Sequence, residues 1–234
     1  MLKFGDFIKE YFRHVKPILK GFLVLVIFTL VIMAIGRVRS RQGWFFIWIN
    51  IILFVIQLVI FSANAGFNKG RQRPSIGGKW RDRLFFLVYV LIFLSVFVVS
   101  SLDTGRYRWT RDFPVYGYVI GYILYISSVG LFSWSMWTNR FFLSTARVQK
   151  ESGQEVAQNG PYRFIRHPGY LSSIMIVTAT PLVFGSMRGF VPAFIVIVIL
   201  IIRTFIEDEA LQEGLPGYTE YAKKIKYRLL PYIW

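Results

Sequence analysis

Apolar residues do not alternate with polar ones along most of this chain; they come in long runs separated by shorter, basic segments. The runs occupy Ile18 to Ile35, Trp44 to Phe67, Leu84 to Leu102, Val115 to Trp137, and Tyr170 to Ile202, the last broken only at Arg188-Gly189. Roughly 17 to 25 apolar residues in a helix span the hydrocarbon core of a bilayer. The first four runs therefore predict one crossing each, and the fifth predicts a tight hairpin of two. The expected fold is all-α and integral to the membrane, with about six transmembrane helices. Both halves of the hairpin are short and carry Pro181 and Pro192, so tilted, kinked or incompletely spanning helices are expected there.

Between and beyond the runs the pattern changes. Residues 1 to 16 intersperse Leu2, Phe4, Phe7, Ile8, Tyr11 and Phe12 with charged groups, which predicts a helix lying at the membrane interface. Near the other end Tyr218, Tyr221, Ile225 and Leu229 recur at spacings of three and four, one face of a short amphipathic helix. Pro216-Gly217 marks its start and Pro231 lies beyond its end. Asn139 to Arg166 is a mostly polar connection of 28 residues, a length at which loops are functional or disordered. Its glycines and prolines specify fixed turns, which favours function. Gly117 and Gly121 give the fourth helix a spacing that permits close helix packing.

Composition sharpens this picture. With 55% hydrophobic and 17% charged residues, the chain is too apolar for an ordinary soluble domain. The 28 Lys+Arg against 12 Asp+Glu raise the question of nucleic acid, but the basic residues follow alternate loops. Five lie before residue 21, six between Asn68 and Arg83, five between Asn139 and Arg166, and five from Arg203 onward, leaving seven for the opposite side. By the positive-inside rule both termini are cytoplasmic, and a nucleic-acid partner is excluded. There is no cysteine and only His14 and His167, so disulfides, thiolate chemistry and a metal site are not expected. The first run has no convincing cleavage site after it and reads as a retained helix.

Candidate chemistry gathers late in the chain. Arg203 and Glu207 stand where the last apolar run ends, one helical turn apart on one face, and charges at that depth have partners or a task. A snorkelling arginine paired with its neighbour is the plain alternative. His167 is held extended by Pro168 and bracketed by Tyr162 and Tyr170 at the mouth of the fifth helix, where backbone N–H groups can meet a carboxylate.

Several short motifs occur in order: Asn139-x-Phe-Phe, Val148-Gln149, Gly160-Pro-Tyr-Arg, Arg166-His-Pro-Gly-Tyr170, Arg203-x-x-x-Glu207-Asp208-x-x-Leu211, Gly217-Tyr-x-Glu-Tyr221 and Tyr227 to Trp234. Together, over residues 139 to 234, they resemble the isoprenylcysteine carboxyl methyltransferase family. The resemblance implies two parts within one integrated domain, N-terminal helices over 1–138 and a methyltransferase module over 139–234. It also implies a cytoplasmic pocket for S-adenosylmethionine. Matching positions nominate Gln149, Gln154, Glu155, Val156, Ala157, Tyr162, His167, Pro168, Gly169, Tyr170 and Glu207 for the cofactor, and Arg203 for orienting the substrate. The loop needs a small gap between Gln149 and Gln154 to fit, and the family's acidic pair is Glu207-Asp208 here.

The implied reaction is methyl transfer to a lipidic or membrane-partitioned acceptor, favouring a prenylated-cysteine carboxylate. A phospholipid amine and a small hydrophobic acid or thiol remain alternatives. Membrane sterol reductases have a distantly similar C-terminal architecture but use NADPH, and a non-enzymatic membrane protein on the same scaffold is a third class. Bacterial inner membrane and endoplasmic reticulum both suit the charge pattern.

Overall fold

The computed structural model describes residues 23–24, 26–36, 41–62, 80–139, 141–142 and 154–234. The interfacial helix expected over residues 1 to 16, most of the basic loop after Asn68, and Gln149 lie outside them. The described residues are helical throughout their regular structure: α1 (Val26–Gly36), α2 (Arg41–Ser62), α3 (Trp80–Ser101), α4 (Val115–Thr138), α5 (Pro168–Phe184), α6 (Phe190–Gly214) and α7 (Tyr218–Lys224). A π-helical turn, Leu102–Tyr107, continues α3, and a 3-10 turn, Gly160–Arg163, precedes α5.

Three helices are long and apolar enough to cross a bilayer: Leu84–Tyr107, Val115–Thr138 and Phe190–Gly214. Val26–Gly36, Gly43–Val59 and Pro168–Phe184 are shorter apolar helices, so the described residues hold the apolar elements the runs predict, with the hairpin at residues 185–189. The prolines do not interrupt it. Pro192 lies in the first turn of α6, where a missing N–H has no helical partner to lose. Pro181 lies in the last turn of α5, just before the left-handed cap at Gly185.

Boundaries moved in three places. α3 begins at Trp80, inside the segment expected as loop. α6 does not stop with its apolar run at Ile202 but continues to Gly214, so Arg203, Glu207 and Asp208 are interior helical residues. α7 ends at Lys224; Ile225 still packs on the inner cluster and Leu229 is still buried, but from beyond the helix.

Lipid is as apolar as leucine, so helices in a bilayer associate through close packing and hydrogen bonds. Val96 of α3, Val177, Ala179 and Val183 of α5, and Val196 and Leu200 of α6 form the inner core. Tyr125 of α4 donates to Asn50 Oδ1 of α2 at 2.8 Å, and Gln57 of α2 donates to Ser133 of α4 at 2.7 Å. Gly121 is where α4 meets α5: a Cβ there would lie 2.7 Å from Leu182 Cβ and 2.8 Å from the Val183 nitrogen. Gly117 instead faces the Phe113 ring, so only one of the two glycines serves this interface.

Gly121→Ala is expected to destabilise the protein by about 1–3 kcal/mol, because the obstacle is backbone. Gly130→Ala on the same helix meets nothing within 4 Å and is expected to stabilise by up to about 1 kcal/mol through helix propensity. Unfolding midpoints in detergent micelles should move in opposite directions; equal shifts would refute the packing assignment.

Candidate functional site

The buried face of α6 is a stripe at intervals of four residues, Val196, Leu200, Thr204 and Asp208. It ends in a carboxylate with no solvent exposure. An ion so placed is tolerated only when partners replace its water. Arg166 Nη2 donates to Asp208 Oδ2 at 2.8 Å and Arg228 Nε to the same oxygen at 2.9 Å. Gln212 Nε2 adds a donor at 3.0 Å. On Oδ1 the Tyr218 hydroxyl donates at 2.9 Å and His167 Nε2 stands at 3.1 Å. A carboxylate flanked by two guanidinium groups only accepts, so His167 Nε2 carries hydrogen.

This carboxylate gathers four otherwise separate pieces of chain: the segment before α5, α6 itself, α7 and the C-terminal segment. Backbone bonds fix the same junction, since the Arg166 and His167 amides donate to the Tyr227 and Arg228 carbonyls at 2.9 Å each. Arg228 lies between aromatic rings, its Cζ 5.3 Å from the centroids of both Phe205 and Trp234. Burial first, and then the Asp208 charge, push the Tyr218 phenol far above its ordinary range, so it remains a proton donor. Tyr221 is raised too, chiefly by burial, and donates to the Tyr162 carbonyl at 2.7 Å.

One residue earlier, Glu207 points elsewhere. A helix turns about 100° per residue, and Glu207 is half-buried on the neighbouring face with Arg203. The Tyr170 hydroxyl of α5 donates to Glu207 Oε2 at 2.5 Å. Arg203 acts electrostatically on that same hydroxyl, and its Cζ stands 5.0 Å from the centroid of Phe85 on α3. The two members of the expected pair therefore meet at the Tyr170 hydroxyl, and Arg203 has Phe85 as a further neighbour.

The remaining candidates divide into packing residues and open ones. Tyr162 is buried with Leu215, Tyr218 and Tyr221, and Val156 and Ala157 pack on that cluster. Asn139 Nδ2 reaches the Tyr162 hydroxyl at 3.4 Å. Gln154 is half-buried and Glu155 exposed beside them. Pro168 opens α5, where the His167 carbonyl accepts from Tyr170 and Leu171. Gly169 lies under Phe142, whose ring would be 2.6 Å from a Cβ, so close packing by the start of the long connection explains it. Arg166 Nε, though buried, has no hydrogen-bond partner among the described residues.

The motif names Asp208 only as the second member of an acidic pair, and residue spacing does not announce Arg166, Tyr218 and Arg228 as its partners. The signal was present in the stripe at intervals of four. An apolar and small-residue face that ends in an acid predicts a buried acid once the helix is known to continue past Ile202.

Residues 116–216 match the family model for phospholipid methyltransferases, a family of the membrane methyltransferase type. The match begins inside α4 and ends just after α6, so it covers the α4–α5 contact, the connection, Tyr162 to Tyr170 and the Arg203 to Asp208 turn. No curated protein matches the chain.

Proposed function

We propose that this protein is a multi-pass membrane methyltransferase that moves a methyl group from S-adenosylmethionine to an acceptor held in the bilayer. The match of residues 116–216 carries the reaction class. The pocket lies between the Gln154 to Tyr170 segment and the Arg203 and Glu207 face of α6. Six crossings with both termini cytoplasmic bring that segment and the end of α6 to one side, as a shared pocket requires. Residues 139–234 act as the cofactor module on the scaffold of residues 1–138, with α4 packed along α5 through Gly121.

The donor set fits the cofactor. Glu207 is a half-buried carboxylate suited to a cationic or hydroxyl-bearing group, Arg203 is a half-buried cation, and Arg166 Nε is a buried donor without a partner among the described residues. S-adenosylmethionine, when bound, supplies a methyl group activated by a sulfonium. Tyr170 fixes the direction of the Glu207 carboxylate through its 2.5 Å hydrogen bond. Arg203 is flanked on α6 by the exposed apolar residues Ile202 and Ile206, and Phe85 lies beside it, which describes an approach from the lipid.

An acceptor carboxylate is ionised at neutral pH, so it needs no base. Arg203 orients it through paired hydrogen bonds, and positioning and exclusion of water supply most of the acceleration. The family match favours a second reading, a phospholipid amine, which must lose a proton before it attacks. Glu207 is then the acceptor of that proton.

Membranes containing the protein, incubated with methyl-labelled S-adenosylmethionine and extracted for lipid, are expected to carry label in the lipid fraction. Base-labile label identifies an ester and stable label an N-methyl group. Absence of label, together with absence of S-adenosylhomocysteine binding by calorimetry, would sink both readings.

A further inference from the structure

The end of the molecule opposite the Asp208 cluster carries a second organised feature that methyl transfer leaves unused. α5 separates the two ends by about 25 Å, for a helix of 17 residues rising 1.5 Å per residue. There Asp103, fully buried in the π-helical turn, clasps the loop after it to the α5–α6 turn. Its Oδ1 accepts the Thr110 amide at 2.7 Å, and its Oδ2 accepts the hydroxyls of Thr110 and Ser186 at 2.6 Å each and the Arg188 amide at 3.3 Å. The Thr110 hydroxyl in turn accepts the Met187 amide at 3.0 Å. Two polar segments distant in sequence are thus one rigid unit.

What the clasp holds is a stack of rings and cations. Arg188 Cζ lies 4.3 Å over the Trp109 ring, Trp109 stacks on Tyr107 with centroids 4.6 Å apart and planes 10° apart, and Arg106 Cζ lies 5.7 Å from the Tyr107 centroid. Arg108 and Asp112 take left-handed conformations, φ 52° and 53°, which are strained for a non-glycine residue. Among the described residues, Arg106, Arg108, Arg111 and Arg188 are all exposed on this surface, against one exposed acid, Asp112, because Asp103 is satisfied internally.

We propose that this platform binds the phosphate of an anionic membrane lipid. Guanidinium groups laid on ring faces keep their N–H edges outward, and a planar pair of N–H donors matches two phosphate oxygens. Cations gathered on one surface repel one another, and an anion at their edges relieves that repulsion. Trp and Tyr rings sit at the depth of lipid headgroups, and Val115, Tyr116 and Met187 are exposed beside them for the acyl portion. That apolar margin commits the site to lipid rather than free phosphate. On the topology proposed above this end is non-cytoplasmic, where basic residues are depleted, so four arginines converging there require a reason. The site does not depend on which reaction the opposite end performs.

The full-length protein in nanodiscs of phosphatidylcholine, with and without phosphatidylglycerol, tests this. Phosphatidylglycerol is expected to raise the unfolding temperature of the wild type and to be retained in native mass spectra. Each arginine near an anionic surface contributes roughly fivefold, so Arg106→Gln/Arg188→Gln should weaken retention about 25-fold and remove the thermal shift. Lys223→Gln/Lys224→Gln, at the other end, should keep both. Arg108→Gln, outside the stack, serves if the double variant does not fold, with about fivefold weaker retention expected. Equal retention by the wild type and the arginine variants, an equal shift with inorganic phosphate alone, or no preference for phosphatidylglycerol in the wild type would overturn the proposal.

Discussion

Asp208→Ala is expected to cost about 3–5 kcal/mol of folding stability, the usual penalty for removing one partner of a buried ionic cluster. Total stability of a domain is about 5–15 kcal/mol, so much of the protein should be lost to unfolding. The reason is what remains: Arg166, 6% exposed at its side chain, and Arg228, 22% exposed, keep their charges with no carboxylate between them. Asp208→Asn should be little better, because its amide nitrogen meets donors where an acceptor is required. Asp208→Ala combined with Arg228→Ala should recover part of the loss, since one orphaned cation is removed with its partner. Denaturant titration in mixed micelles, followed by circular dichroism, measures all three. A midpoint for Asp208→Ala equal to that of the wild type would show that the cluster contributes no stability.

The neighbouring acid should behave in the opposite way. Glu207→Gln is expected to leave the unfolding midpoint within about 0.5 kcal/mol of the wild type, as surface-type substitutions do. The amide oxygen still accepts from Tyr170, and no ion pair among the described residues is broken. Affinity for S-adenosylhomocysteine, in contrast, should fall about 10- to 100-fold, because a hydrogen bond to a charged group contributes roughly 1.5–3 kcal/mol. Calorimetry and thermal unfolding on the same preparation separate the two effects. Unchanged affinity in a well-folded variant would remove Glu207 from the pocket. The contrast is demanding because the residues are adjacent in sequence and differ only by their direction from the helix axis.

That direction marks the limit of what could be read from residue order. Apolar runs announced the helices because lipid imposes a composition on any segment that crosses it, whatever the neighbours. Boundaries were less legible where polar residues stay helical: α6 passes from Ile202 through Arg203 to Gly214 without a break, since Glu, Gln, Leu and Ala are good helix formers. Gly169 illustrates a different gap. Its place in a motif nominated it for the cofactor, yet the Phe142 ring lies where a side chain would be, a contact no spacing rule contains. Asp103 was invisible for a similar reason, since its partners Ser186 and Arg188 lie 83 and 85 residues away.

The two acids at the end of α6 show the division most clearly. Sequence alone established that charged groups follow the last apolar run and recur at helical spacing, and its alternating basic loops give the expectation that they share a side of the membrane with the motif-rich connection. Those are properties of periodicity and of the cost of charge in lipid, which act locally. Only the tertiary structure decided that Asp208 is the sealed hub of Arg166, His167, Tyr218 and Arg228, while Glu207 and Arg203 stay half-buried beside Tyr170. A carboxylate becomes structural or available according to which donors surround it, and those donors arrive from four segments that only folding brings together.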